Sequence, residues 1–148
     1  MNIREIDNTE TDKLLECVSA LATYHNNVSI NFKGCYPSKP YKDTLKSFSK
    51  SLAKGTSLIA VIENFEKIVG FCKIDIQHHT GKLDYLIILP EYRGSGYGKE
   101  LMDWAMAQFS KRNIAHIEVK VVDGNDVIHL YEKYGFRINA HILWFKSN

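Results

Sequence analysis

The chain has 148 residues, 45% hydrophobic and 24% charged, with a formal net charge of +2. Those proportions suit a globular protein large enough to bury a core, and a single domain over residues 1–148 is expected. They exclude a charge-driven nucleic-acid binder, because Lys and Arg are scattered, and a membrane-spanning helix, because no apolar run approaches roughly 20 residues.

The opening residues, Met1-Asn-Ile-Arg-Glu-Ile-Asp7, lack the apolar stretch of a secretory signal. Residues 3–6 suit a short first strand. Thr9 reads as an N-cap, with Asp12 three residues on, for a helix whose Leu14, Leu15, Val18, Leu21 and Ala22 form one stripe. Residues 26–40 are polar and broken by Gly34, Pro37 and Pro40, which predicts a loop. Pro40 can open a second helix, with Tyr41, Leu45, Phe48 and Leu52 on one face and Gly55 at its end. Residues 57–62 and 68–76 are rich in β-branched side chains and predict a hairpin, and a loop containing His78, His79 and Gly81 leads on to the next strand. Cys17, Cys35 and Cys72 are an odd, widely spaced set, so reduced thiols in a cytoplasmic protein are expected, without a disulfide frame or a metal.

The second half alternates strand and helix: 83–89, 98–111, 116–122 and 126–134. The first three make a strand–helix–strand unit, which predicts two parallel strands. Residues 136–138 and 141–145 read as terminal strands. The expected fold class is mixed α/β, α+β-like, with a central sheet of about six to seven strands and helices on both faces. The run His141-Ile-Leu-Trp-Phe145 is strongly apolar, and an open sheet edge there predicts a homodimer.

Between the strand at 83–89 and the helix at 98–111 stands Arg93-Gly94-Ser95-Gly96-Tyr97-Gly98-Lys99. Glycines let backbone approach a ligand closely, and the free N–H groups of a helix's first turn attract anions. A phosphorylated ligand follows. A mononucleotide P-loop is the wrong match, because only three residues separate Gly94 from Gly98 and Glu100 follows Lys99. The dinucleotide fingerprint fails too, since its third glycine would fall on Lys99. Read as Arg-x-x-Gly-x-Gly, Arg93, Gly96 and Gly98 fit. The stretch Leu86-Ile-Ile-Leu-Pro-Glu-Tyr-Arg-Gly-Ser-Gly-Tyr-Gly-Lys-Glu-Leu-Met102 closely resembles the acetyl-CoA-binding motif of the GNAT superfamily of N-acetyltransferases. A second segment, Leu130-Tyr131-Glu132-Lys133-Tyr134-Gly135-Phe136, resembles that family's other signature.

The resemblance implies an acetyltransferase that moves an acetyl group from acetyl-CoA to a primary amine of a small molecule or peptide, by direct attack. The backbone of Leu86, Ile87 and Ile88 would meet the pantetheine amides, and the N–H of Ile88 would polarise the thioester carbonyl. The N–H groups of Gly94, Ser95, Gly96, Tyr97, Gly98 and Lys99 would take the pyrophosphate, with Arg93 and Lys99 charging the rim. Tyr131 would protonate the departing thiolate. Glu118 and Asp84 are the candidate bases, and one of His78 and His79 could face the acceptor, which Tyr24, His25 and Asn26 would help to bind. Cys72 could carry an acyl group, but its mid-strand apolar setting predicts a core residue. The family pattern puts Asn seven residues before the acid tyrosine. Here Gly124 stands there, with Asn125 one place closer as a cofactor contact. Two other readings compete: a CoA-binding sensor of the same fold without turnover, and a nucleotide-phosphate enzyme, which the loop spacing disfavours.

Overall fold

The longest strands form where the chain is richest in β-branched and aromatic residues. A computed structural model, describing residues 1–147, joins β2 (Ser57–Asn64), β3 (Lys67–Gln77) and β4 (Thr80–Ile88) as an antiparallel meander. β1 (Asn2–Glu5) pairs antiparallel with β2, and β5 (His116–Val119) pairs parallel with β4, so the order is β1-β2-β3-β4-β5. Ile59, Phe71 and Ile74 are wholly buried at its centre.

Helices cover both faces, because successive strand residues point opposite ways. On one face lie α1 (Leu15–Val28) and α2 (Tyr41–Lys54), where Phe48 of α2 meets the rings of Phe71 at 6.2 Å and Tyr85 at 4.9 Å. On the other lies α3 (Tyr97–Lys111), and Gly81 makes room for it: a Cβ there would stand 2.5 Å from Phe109. α4 (Ile128–Lys133) is tied to α3 by Tyr134 Oη, which donates to Asp103 at 2.9 Å. α2 ends as read, with Gly55 left-handed at φ 75°.

Four expectations need correction. Thr9 does not cap α1; its amide and hydroxyl both donate to Asp7 Oδ1, and the chain enters α1 through a 3-10 turn, Thr11–Leu14. α1 carries on through Asn26 and Asn27 to Val28 before the loop begins. β4 starts at Thr80, so Gly81 is a strand residue under Phe109 and not part of a loop. Residues 136–138 and 141–145 form no strand, and no backbone–backbone hydrogen bond reaches residues 137–147. Apolar, β-branched composition suits a pleated surface, but a strand exists only where another edge completes its ladder. The sheet therefore has five strands among the described residues.

Arg4 fastens β1. Its guanidinium donates to Glu63 of β2 at 2.7 Å and to Glu10 at 2.8 Å. Hydrogen bonding from Arg4 holds the Glu10 carboxyl down from the ordinary 4.5 to about 2 and lowers that of Glu63. A carboxyl whose pKa is depressed on folding contributes stability that is full above its unfolded value and is lost as pH falls through its folded one. The contribution should therefore fade between pH 4.5 and about 2. Urea midpoints at pH 5 and pH 3 should differ less in Arg4→Ala than in the parent; equal differences would refute the assignment.

Candidate functional site

β4 and β5 are paired only from Thr80↔His116 to Leu83↔Val119. Beyond Leu83 the two strands part, while β4 stays paired with β3 as far as Gly70↔Ile88. A fork results, with one open edge of β4 from Asp84 to Ile88. The ladder with β3 is irregular at Lys73/Ile74, where Asp84 is the extra residue. Opposite the fork's far end, Gly70 admits β4 closely: a Cβ there would lie 2.4 Å from Ile88 Cδ1 and 2.8 Å from the Ile87 carbonyl.

Past Ile88 the chain turns through a short 3-10 helix, Pro90–Tyr92, into the glycine loop. Gly94 and Gly96 have φ of 86° and 88°, which residues with a Cβ rarely adopt. Gly96 precedes α3, and the first helical bond runs from Glu100 N–H to the Gly96 carbonyl. No side chain caps this N-terminus. A Cβ at Gly94, Gly96 or Gly98 would meet no protein atom within 4 Å, so the loop's surface is clear. Free N–H donors, a helix dipole and an open approach are what an anion requires. Arg93 Nε donates to the Ile88 carbonyl at 2.9 Å, and its guanidinium lies 5.0 Å from the centre of the Tyr24 ring. Lys99 donates to Asp103 at 2.8 Å.

Tyr131, on α4, is 6% exposed, with its ring 5.9 Å from that of Phe136. Burial pushes its phenol up to about 12, with a smaller upward push from the Cys72 thiol, whose ladder partner is Leu86 of the fork. Among the described residues nothing hydrogen-bonds Tyr131 Oη. The phenol thus holds its proton at neutral pH and is free to donate it. Gly135, at φ 99°, closes the helix behind it. Cys72 is wholly buried and its thiol is pushed far up by burial, so it is core, as its strand setting indicated.

The two candidate bases sit differently. Asp84 is the first residue of the fork, but Lys73 donates to its Oδ2 at 2.7 Å and Lys82 stands 3.4 Å from its Oδ1. Glu118 is exposed and lies within the paired part of β5, across from Lys82. His78 and His79 occupy the β3–β4 turn, at the end of β4 away from the fork, so neither faces it. Asn125 is turned inward: its Oδ1 accepts from Val127 N–H at 3.0 Å and from Tyr24 Oη at 3.4 Å.

Several contributors escaped the sequence reading. Lys73 is 5% exposed, bridges Asp84 and Asp75, and lies 5.1 Å from the centre of the Phe48 ring. The signal available was a charge set among the apolar residues of a strand, with Asp75 two places on, since a buried charge must find partners. Asp123 accepts from Ser29 Oγ and the N–H groups of Ile30 and Asn31, at 2.7 to 2.9 Å, docking the end of α1 on the loop before α4. Gly124 has φ 82°, and a Cβ there would stand 2.1 Å from the Val28 carbonyl. That contact explains why glycine replaces the expected Asn. Among the described residues no three His, Cys, Asp or Glu converge as metal ligands, and no helix is long and apolar enough to cross a membrane.

Comparison with known proteins gives this geometry a context. Residues 18–136 match the model of the acetyltransferase (GNAT) family. Among similar solved structures is the PaiA N-acetyltransferase of Thermoplasma acidophilum in complex with coenzyme A. It is 22% identical, with 93% of this chain and 90% of that one covered and a TM-score of 0.75. A GCN5-related N-acetyltransferase from Ralstonia eutropha is 16% identical over 99% of both chains, with a TM-score of 0.79. A predicted acetyltransferase of Clostridium acetobutylicum, solved with acetyl-CoA, is 19% identical over 99% of this chain and 95% of that one, at 0.71.

Proposed function

The chain belongs to the acetyltransferase (GNAT) family, and from that premise we propose that it transfers the acetyl group of acetyl-CoA to a primary amine of a small molecule or peptide, through a ternary complex. The observation that carries this reading is one juxtaposition: a fork in the sheet, an uncapped α3 at its mouth and an unpartnered phenol beside it. Acetyl-CoA would supply an activated acetyl thioester. Its pyrophosphate suits the clear N–H donors of residues 94–99, with Arg93 and Lys99 at the rim. Its pantetheine arm suits the free edge of β4 at Leu86, Ile87 and Ile88, where an extended chain can add like a strand. The Ile88 N–H, aimed at the thioester carbonyl, would contribute about 3 kcal/mol as an oxyanion donor.

Tyr131 donates the proton that the leaving thiolate needs. An acceptor ammonium, with a pKa of about 10 in water, must first lose a proton. Asp84 is the better-placed carboxylate for this, standing where the strands part; Glu118 lies below the fork, and water can carry the proton in either case. Asn125 acts on the cofactor only indirectly, by holding Tyr24 and the start of α4. The protein is assigned to the cytoplasm as a single domain over residues 1–148, and as a homodimer.

The test is to mix the protein with acetyl-CoA and a panel of small primary amines and peptides, and to follow thiol release. Amine-dependent release with formation of the acetylated amine is expected. Tight CoA binding without turnover on any amine would instead leave a CoA-binding sensor, and tighter binding of ATP than of CoA would revive a nucleotide-phosphate enzyme.

A further inference from the structure

One side chain of α1 touches the supports of both reacting groups. Tyr24 lies one helical turn before Val28, so the two share a face of α1, and that face meets the loop before α4. The loop is held there firmly. Asp123 accepts from Ser29 Oγ and from the N–H groups of Ile30 and Asn31, and Gly124 lies against the Val28 carbonyl. Tyr24 is half-buried beside it, with both its ring and its hydroxyl engaged.

The ring serves the glycine loop. Its centre is 5.0 Å from the Arg93 guanidinium, a contact between a cation and a π face. Arg93 Nε in turn donates to the Ile88 carbonyl at 2.9 Å, on the open edge of β4. A guanidinium held at both ends keeps the glycine loop in register with the residue whose N–H is the oxyanion donor. The hydroxyl serves the acid's helix. It donates to Asn125 Oδ1 at 3.4 Å, and the same oxygen accepts the Val127 N–H at 3.0 Å. The Val127 carbonyl accepts the N–H of Tyr131 itself at 3.3 Å. α4 is only six residues long and no side chain caps it, so its start depends on what holds Val127.

We propose that Tyr24 is a positioning residue for the transfer, fixing the oxyanion donor at Ile88 through its ring and the acid Tyr131 through its hydroxyl. Only Arg93 stands between Tyr24 and Ile88, and only Asn125 and Val127 stand between it and Tyr131. The two groups act on opposite ends of one breaking thioester, so their separation matters, and a misplacement of about 1 Å can cost up to about 100-fold in rate. With ring and hydroxyl both spent, Tyr24 is not free to hold the acceptor amine.

This inference rests on the acetyl transfer proposed above, and a double-mutant cycle separates the two. Tyr24→Phe keeps the ring and removes the hydroxyl. It should lower kcat about tenfold, with the KM of the amine and the affinity for CoA within about twofold of the parent. Added to Tyr131→Phe, the same change should cost less than about twofold, since the acid that it positions is gone. Tyr24→Leu also removes the face under Arg93. Its further loss, about tenfold beyond Tyr24→Phe, should persist alongside Tyr131→Phe, because the Ile88 N–H acts without the acid. Hydrogen exchange of the Val127 amide, which needs no turnover, should be at least about fivefold faster in Tyr24→Phe, with β2 and β3 unchanged. Losses that multiply in the Tyr24→Phe/Tyr131→Phe double variant would overturn the positioning role alone. So would an amine KM that rises at unchanged kcat, a leucine variant no slower than the phenylalanine one, or a Val127 amide that exchanges alike in both proteins. A parent that binds CoA but acetylates no amine would overturn the enzyme and the positioning role together.

Discussion

Tyr131→Phe should slow acetyl transfer by roughly 10²- to 10⁴-fold while leaving CoA affinity nearly unchanged. The substitution keeps the ring and its 5.9 Å contact with Phe136 and deletes one oxygen. That oxygen has no hydrogen-bond partner among the described residues, so stability should change by about 1 kcal/mol or less. A phenol pushed up to about 12 is protonated throughout the working range, so the pH–rate profile should show no fall from Tyr131 below about pH 10. The loss should shrink with a thioester whose thiol is more acidic, because a better leaving group needs less help. Rates are to be read with whichever amine the acceptor panel identifies. A variant that turns over at the parent rate would make Tyr131 a packing residue and leave the enzyme resting on the phosphate loop.

Gly98→Val should weaken CoA binding at least about 100-fold, roughly 2.7 kcal/mol, without loss of stability. Gly98 lies inside the first turn of α3, without a left-handed backbone, and a Cβ there meets no protein atom within 4 Å. Valine is no worse than glycine in a helix interior, so the free protein accommodates it. The added methyls would stand where the pyrophosphate must approach the N–H groups. Gly96→Val is a poorer test, because φ at Gly96 is 88° and valine would strain the backbone whatever the ligand does. Calorimetry on Gly98→Val with CoA separates the two effects, and an unaltered affinity would remove the basis for the cofactor assignment.

Local rules account for most of what could be read in advance. The hairpin of β2 and β3, the helix capped by Gly55 and the glycine loop opening α3 each depend on neighbours within a few residues. Spacing alone sufficed to separate Arg93, Gly96 and Gly98 from the nucleotide loops. Thr9 was misread for a local reason: Asp7, two residues away, offered an alternative partner, and that turn won over the helix cap. The other errors fell where a distant residue decides. Gly81 read as a loop residue because nothing nearby reveals that Phe109 will lie upon it. The terminal residues 141–145 have a strand's composition without a strand's partner.

The candidate site divides the same way. The glycine loop before α3 and the placing of Tyr131 on a short helix were legible, since short motifs carry them and helical spacing positions them. The fork was not, because it exists only as a difference between two ladders, one ending at Leu83↔Val119 and the other running on to Gly70↔Ile88. The standing of Asp84 depends on Lys73, 11 residues away in sequence, and that of Gly124 on the end of α1, 96 residues before it. What the sequence by itself determined is therefore most of the elements, the family and the glycine loop that opens α3, all of which follow from local spacing and residue type. What only the tertiary structure decided is which carboxylates are already paired, which histidines face away and which edge stays open. Those are matters of contact between remote segments, and a linear pattern holds no record of which segments meet.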